Sequence, residues 1–354
     1  MINKKKLTQE IILDGCIVKD EKVPYLIAEI GQNHNGDVNK AKQLIDMAKR
    51  CNANAVKFQK RDINSELTNA AYNKLYDNNN SFGRIYGEHR KFLEFDETQH
   101  KELYQYAKSK NITYFCTPCD LPSLEIMEKI NVPFYKVASR DLTNIPLIRE
   151  LGKIDKPVLI STGMASYEDI EDALDNLNKE KEKLIIMHCT SQYPCEIQNV
   201  NLNVINTLKD KYEYLVGYSD HTNGTIISVA ATLIGASVIE KHITLDRSMR
   251  GTDHAGALEE AGLNSLVKSI NAVKLCLGHS EKEFLECTTN TKNKLAKSLT
   301  SLINIKKGEI LDESMICLKS PGHGILWRNK ELIIGKKAKN DIIADYTLSL
   351  DDFE

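Results

Sequence analysis

The amino-acid sequence predicts a (β/α)8 barrel followed by a small domain with little regular helix. Three observations predict it. Short apolar runs alternate with helix-period stretches through eight units, over the roughly 250 residues such a barrel needs. The C-terminal end of nearly every apolar run is crowded with polar side chains, where a barrel keeps its chemistry. After about residue 278 the alternation stops.

The elements follow in order. Residues 11–17 precede the first strand and supply a hairpin that closes the barrel floor. Strands are expected at 25–31, 55–59, 113–118, 134–139, 157–163, 184–190, 215–221 and 238–244. Helix-period stretches at 40–50, 98–109, 167–177, 225–235 and 259–277 lie between and after them. A doubly wound open sheet uses the same alternation but normally places a Gly-rich turn after its first strand, and residues 31–37 are not G-x-G-x-x-G. The barrel is therefore preferred. Residues 60–97 are polar, rich in asparagine (Asn78, Asn79, Asn80) and too long for a plain connection, so they read as a functional lid or insertion. Charge-dense 178–183 is a solvated turn. Residues 280–296 lack hydrophobic periodicity, as a linker does. The tail carries short β-type runs at 299–305, Ile310 and 342–343, with Pro321 and the lone Trp327. The expected organisation is a barrel domain at 1–280, a linker at 281–296 and a small domain at 297–354.

Composition narrows the function. With 42% hydrophobic and 27% charged residues and a net charge of -2, the chain is neither disordered nor a nucleic-acid-coating protein. No apolar run approaches the roughly 20 residues of a membrane span. The lysine-rich residues 1–10 lack the apolar core of a secretory signal. Nine scattered cysteines suit reduced thiols in a cytoplasm. The spacing Cys116-x-x-Cys119 has no second pair and reads as two buried thiols.

Strand ends then supply candidates. Strand period two sets Lys57 with Gln59, Ser219 with His221, and Glu240 with His242 on shared faces. If those faces point inward, lysines, hydroxyls, imidazoles and carboxylates converge in one mouth. Lys57 and Lys136, with the hydroxyls of Thr117, Ser139, Ser161 and Ser219, form a cradle for a phosphate and a carboxylate. His221 and His242 end neighbouring strands and suit a divalent ion held partly by water and substrate, such as Mn²⁺ or Mg²⁺. Glu29, Glu240 and Asp253 are candidates for general-base work or for binding sugar hydroxyls. His34, His188, His254 and Cys189 are polar strand-end residues with no readable role.

These residues stand in recognisable motifs. Ala28-Glu29-Ile30-Gly31-x-Asn33-His34-x-Gly36-Asp37, Lys57-Phe58-Gln59, Ser161-Thr162-Gly163-Met164, His188-Cys189-Thr190, Tyr193-Pro194, Gly217-Tyr218-Ser219-Asp220-His221-Thr222, Ile239-Glu240-Lys241-His242 and Gly251-x-Asp253-His254 together resemble the sialic acid (nonulosonate) synthase family. The tail, from Lys306-Lys307-Gly308-Glu309 through Pro321-Gly322-x-Gly324 to Ile334-Gly335-Lys336, resembles that family's antifreeze-like SAF domain. The resemblance runs from about residue 25 to the end. It implies a phosphoenolpyruvate-dependent, C–C bond-forming transferase that condenses phosphoenolpyruvate with an N-acyl hexosamine, typically N-acetylmannosamine, and releases phosphate by C–O cleavage. Legionaminic or pseudaminic acid synthase, using a 6-deoxy-diacetamido hexose, is the alternative. A metal-dependent barrel aldolase or lyase and a carbohydrate-binding protein are the readings from other classes.

By motif match, the resemblance implies that His221 and His242 hold a divalent metal, with Mn²⁺ preferred and Mg²⁺ or Co²⁺ as alternatives. Lys57, Thr117, Lys136, Ser139, Ser161, Ser191 and Ser219 line the phosphoenolpyruvate pocket. Gln59, Tyr193 and Asp253 face the sugar, and Glu29, Glu240 or Asp141 does the acid–base work. It also implies a homodimer in which the small domain of one chain caps the barrel of its partner. The sequence departs from the family pattern near the sugar. Ser320 replaces an arginine in the usual Lys-Arg-Pro-Gly run, Arg140 stands where glycine is common, and Asp141 where glutamate is common. Arg140 or Arg328 is the expected substitute for the missing arginine.

Overall fold

A computed structural model of the chain describes residues 7–20 and 22–354. The first six residues of the lysine-rich N-terminus, and with them the start of the expected domain 1–280, lie outside the described residues. The chain divides into two compact units, Met1–Gly278 and His279–Glu354.

The first unit opens with a hairpin, β1 (Glu10–Leu13) and β2 (Cys16–Lys19). Eight parallel strands follow: β3 (Tyr25–Gly31), β4 (Ala55–Lys60), β5 (Thr113–Pro118), β6 (Tyr135–Val137), β7 (Val158–Ser161), β8 (Leu184–Cys189), β9 (Leu215–Asp220) and β10 (Val238–His242). They close on themselves where β10 pairs with β3, which excludes the doubly wound open sheet. Each lies within the stretch expected for it or overruns it by one residue. β6 is the shortest, because Ser139–Asp141 already winds into a 3-10 turn that aims Ser139 and Arg140 at the barrel mouth.

Strand alternation sorts the side chains into two environments. Outward residues such as Leu26, Ala28, Val56, Phe58, Tyr135 and Ile239 pack under the surrounding helices in one apolar layer. Lower inward positions fill the barrel with Tyr25, Ile27, Ala55, Phe115, Phe134, Leu159, Met187, Leu215 and Val238. The hairpin's Ile11, Leu13 and Val18 join that cluster, so the hairpin plugs the barrel floor. One step further up each strand the inward residue becomes polar: Glu29, Lys57, Lys136, Ser161, Ser219 and Glu240. The fold thus makes a dry floor and a polar mouth.

The stretch 60–97 is an insertion with three short helices, Ile63–Glu66, Asn69–Tyr72 and Tyr86–Leu93. The second unit holds the helix Thr289–Leu295 within the polar stretch 281–296. After it come β11 (Ser298–Ser301) and β12 (Ile316–Lys319) around a small core that includes Leu299, Ile305, Leu311 and Phe353. Arg328 is exposed in the 3-10 segment Trp327–Leu332 of that unit.

Candidate active site

A cavity of about 540 Å³ opens at the C-terminal ends of the barrel strands. Its walls carry Glu29, Lys57, Gln59, Lys136, Ser139, Ser161, Ser191, Tyr193, Ser219, His221, Glu240, His242 and Asp253. Thr117 and Asp141 do not reach it. The hydroxyl of Thr117 accepts a hydrogen bond from Lys57 Nζ at 3.0 Å, and so fixes the lysine from behind. Asp141 is buried beside Arg140, with Oδ2 3.3 Å from the guanidinium.

The centre of the mouth is a buried charge network. Lys57 Nζ lies 2.8 Å from Glu29 Oε2 and 3.9 Å from Glu240 Oε1, while Lys136 Nζ lies 3.1 Å from the same Glu240 oxygen. Ser219 Oγ donates to Glu240 Oε1 at 3.0 Å. Burial opposes the charge of Glu240, but Lys136 and Lys57 overcome it and hold its carboxyl at about 2. Burial likewise works to strip Lys57 of its proton, yet Glu240 and Glu29 outweigh it and keep the ammonium above its ordinary range. Glu240 and Lys57 are therefore both charged at neutral pH, an ionised pair at the centre of the mouth. Gln59 Nε2 donates to Glu29 Oε1 at 2.8 Å, completing a row of inward residues across β3 and β4.

A hydroxyl cradle stands beside the lysines. The Gly163 amide donates to Ser139 Oγ at 3.0 Å, and a Cβ on Gly163 would sit 2.6 Å from Ser191 Oγ and 2.9 Å from Ser139 Oγ. Only glycine lets these hydroxyls converge. Ser161 Oγ is buried without a hydrogen-bond partner among the described residues. A buried hydroxyl without a partner is costly, and an anion's oxygens supply the missing acceptors.

On the other side the rings of His221 and His242 lie 5.6 Å apart between centroids. His221 Nδ1 is 2.9 Å from the carbonyl oxygen of Thr190, a partner that takes an N–H and leaves Nε2 with a free lone pair. His242 Nδ1 is buried with no hydrogen-bond partner among the described residues. Tyr193, 52% exposed, lays its ring 4.0 Å from that of His221. Among the described residues no group of three or more His, Cys, Asp or Glu side chains converges as a metal site. The donor set fits an ion held by two imidazoles, with its other positions open to water and substrate. Asp253 is half-buried; burial opposes its charge, but His242, Thr252 and Arg90 hold its carboxyl below the usual range.

Several cavity residues were not expected from the strand ends. Arg61 continues the period of Lys57 and Gln59 and donates to Gln59 Oε1 at 2.5 Å, with Glu94 and Glu66 on its other sides. That period could have found it. Arg90 and Asn80 come from the insertion, whose irregular pattern gave no hint of direction. Arg140 also lines the cavity, but its guanidinium is taken up by Cys119 Sγ at 2.8 Å, Asp141 and Glu66. Among the described residues Arg90 has no carboxylate within ion-pair distance. It donates to Gln32 Oε1 at 2.8 Å and to the Tyr86 hydroxyl at 2.7 Å, with further N–H groups to spare. Cys116 and Cys119 are buried, and burial pushes both thiols up, Cys119 to about 11. They are two buried free thiols, as expected.

No helix among the described residues is long and apolar enough to cross a membrane. Residues 44–282 match the NeuB family and residues 297–354 the SAF domain. Over 296 residues the chain is 38% identical to N-acetylneuraminate-9-phosphate synthase of Homo sapiens, covering 83% of this chain and 82% of that protein. It is 38% identical over 331 residues to N,N'-diacetyllegionaminic acid synthase of Campylobacter jejuni, covering 92% and 98%. The crystal structure of N-acetylneuraminic acid synthetase from Leptospira borgpetersenii superposes with a TM-score of 0.70 at 34% identity, over 81% of this chain and 96% of that one. By fold, motif order and sequence identity together, the chain belongs to the NeuB family.

Proposed function

We propose that this protein condenses phosphoenolpyruvate with the open-chain aldehyde of an N-acyl hexosamine and water, yielding a nonulosonic acid and phosphate. The observation that carries the reading is the shared mouth: Lys57 and Lys136 meet at Glu240, beside the hydroxyls around Gly163 and within reach of two paired imidazoles.

Lys57 and Lys136 bind the phosphate and carboxylate of phosphoenolpyruvate, with Ser139, Ser161 and Ser191 donating to their oxygens; Ser219, whose proton goes to Glu240, lines the pocket, and Thr117 keeps Lys57 aimed. Holding two anionic ends in one place is mainly positioning and electrostatics. His221 and His242 hold the divalent ion, which when bound supplies Lewis-acid polarisation of the aldehyde oxygen. Gln59, Tyr193 and Asp253 orient the sugar, so that C3 of phosphoenolpyruvate meets the aldehyde carbon and forms the new C–C bond. Glu29 takes a proton from the water that adds at C2 and returns it to the oxygen of the former aldehyde. The C2–O bond to phosphate then breaks as C2=O forms, and the second proton of that water leaves with the phosphate. Glu240, ionised and buried, stabilises the positive character that develops at C2 and keeps both lysines in register. Arg90 is preferred to Arg140 as the guanidinium for the sugar, because Arg140 already meets Cys119, Asp141 and Glu66.

The finer parts of the reading are N-acetylmannosamine as the sugar, Mn²⁺ as the ion, a homodimer in which the small domain at 297–354 caps the partner's barrel, and a cytoplasmic setting for the reduced cysteines. N-acetylmannosamine, its 6-phosphate and a 6-deoxy-diacetamido hexose are to be compared, each with phosphoenolpyruvate and Mn²⁺, by following phosphate release. One sugar is expected to release phosphate in step with loss of phosphoenolpyruvate. A lyase forms C–C bonds from pyruvate and releases none; that outcome, or pyruvate consumption in place of phosphoenolpyruvate, contradicts the reading.

A further inference from the structure

Directly behind the paired imidazoles, on the outer face of the barrel wall, lies a fully buried ion pair that the chemistry above does not use. Lys241 and Asp220 are register partners across β10 and β9, and they are the last pair in the ladder between those strands. His242 and His221 each stand one residue beyond them. Lys241 Nζ is 2.9 Å from Asp220 Oδ2, and both side chains are 0% exposed. The same carboxylate accepts from Ser228 Oγ at 2.5 Å, and from the Thr222 amide and hydroxyl at 2.8 Å each. Lys241 Nζ also donates to the Thr222 carbonyl oxygen. Lys241 therefore grips the residue before His221 and the residue after it, while sitting next to His242 in its own strand.

A buried ion pair is weak evidence for stability, since apolar residues of the same volume often serve as well. Its value here is geometric. β9 and β10 stop pairing at this rung, so nothing in the ladder itself sets the distance between the two imidazoles beyond it. We infer that the Asp220–Lys241 pair is a positioning device for His221 and His242, one that sets the protein's affinity for a divalent ion. The inference rests on reading those two histidines as the metal ligands. Partners behind metal ligands typically change metal affinity by about 10- to 100-fold when removed.

The test is Mn²⁺ binding by titration calorimetry and by the loss of the free-ion electron-spin signal, on the metal-free full-length protein. Asp220→Asn combined with Lys241→Met neutralises both charges and leaves no unpaired ion in the wall. The double variant is expected to keep the wild-type circular dichroism while its Kd for Mn²⁺ rises about 10- to 100-fold. Its turnover should return towards the wild-type value as Mn²⁺ is raised, with the KM for phosphoenolpyruvate unchanged. A purely structural pair would move the melting temperature and leave Mn²⁺ affinity as it was; a folded double variant with wild-type affinity overturns the inference. Should that variant not fold, Ser228→Ala, which removes one donor to Asp220, is read the same way: a several-fold weaker Kd supports the clamp and an unchanged one overturns it. His242→Ala is the control on the underlying reading. If wild type and His242→Ala bind Mn²⁺ equally, the imidazole site itself is wrong, and the clamp falls with it for a separately visible reason.

Discussion

Lys136→Met isolates the charge of one lysine at the centre of the site. The side chain is 5% exposed and its Nζ is 3.1 Å from Glu240 Oε1, so methionine keeps the buried stem and deletes only the ammonium group. A hydrogen bond to a charged partner is worth about 1.5–3 kcal/mol net, or roughly 10- to 150-fold in an equilibrium constant. If Lys136 holds an anionic end of phosphoenolpyruvate, the KM for that substrate should rise by about that factor while the KM for the sugar moves less than about threefold. A second signature follows from the network. Without Lys136, Glu240 loses the first of the charges that offset its burial and keeps Lys57 at 3.9 Å, the Ser219 hydroxyl and the nearby His242, so its carboxyl moves up from about 2. The acid limb of the rate profile should therefore shift to higher pH. Initial rates of phosphate release over a grid of both substrates, at saturating Mn²⁺, measure both effects. Equal rises in the two KM values, or an unmoved KM for phosphoenolpyruvate, would refute the anion site.

Three further predictions bear on other parts of the account. Gly163→Ala puts a methyl group 2.6 Å from Ser191 Oγ and 2.8 Å from Cys189 Sγ, so it should raise the KM for phosphoenolpyruvate about tenfold; an unchanged value removes the hydroxyl cradle from the site. Arg90→Met should weaken the sugar by about tenfold with phosphoenolpyruvate unaffected, as a bivariate rate grid would show, because a partly exposed charged contact is worth less than a buried one. The last concerns pH and the fold. Burial holds buried His34 and His100 at about 3, against 6.5 in the unfolded chain, so the native state refuses protons that the unfolded state accepts. Their contribution is complete above pH 6.5 and is lost as pH falls, by about 1.4 kcal/mol per unit for each histidine. Melting midpoints should drop steadily from about pH 6.5 towards pH 4.5, and a flat profile over that range would contradict the burial argument.

The barrel was legible because its two signals are physical necessities: apolar residues must fill the floor, and polar ones cannot be left in the wall without partners. Glu29, Lys57, Lys136, Ser219 and Glu240 each continue the inward face of an apolar strand, so period two alone pointed to their meeting. The register that makes Lys57 and Lys136 share one oxygen of Glu240 depends on barrel closure, which no single strand encodes. Arg90 shows the other limit. It rides on a helix of the insertion, where Tyr86 one turn earlier steadies it, and its direction toward the mouth is set by Gln32, a contact between distant segments with no common period. Helix Thr289–Leu295 left no hydrophobic signature because it buries no side chain. Thr117 was expected to touch the ligand and instead supports Lys57; strand position gives the face a side chain points to, not the atom it meets.

The most direct check is a crystal structure of the full-length protein soaked with Mn²⁺ and phosphoenolpyruvate, using anomalous scattering to locate the metal. The account predicts an anomalous peak bonded to nitrogen atoms of both His221 and His242, and a phosphoenolpyruvate molecule whose two anionic ends contact Lys57, Lys136 and the hydroxyls around Gly163. A peak on other residues, or phosphoenolpyruvate bound outside the barrel mouth, would contradict it.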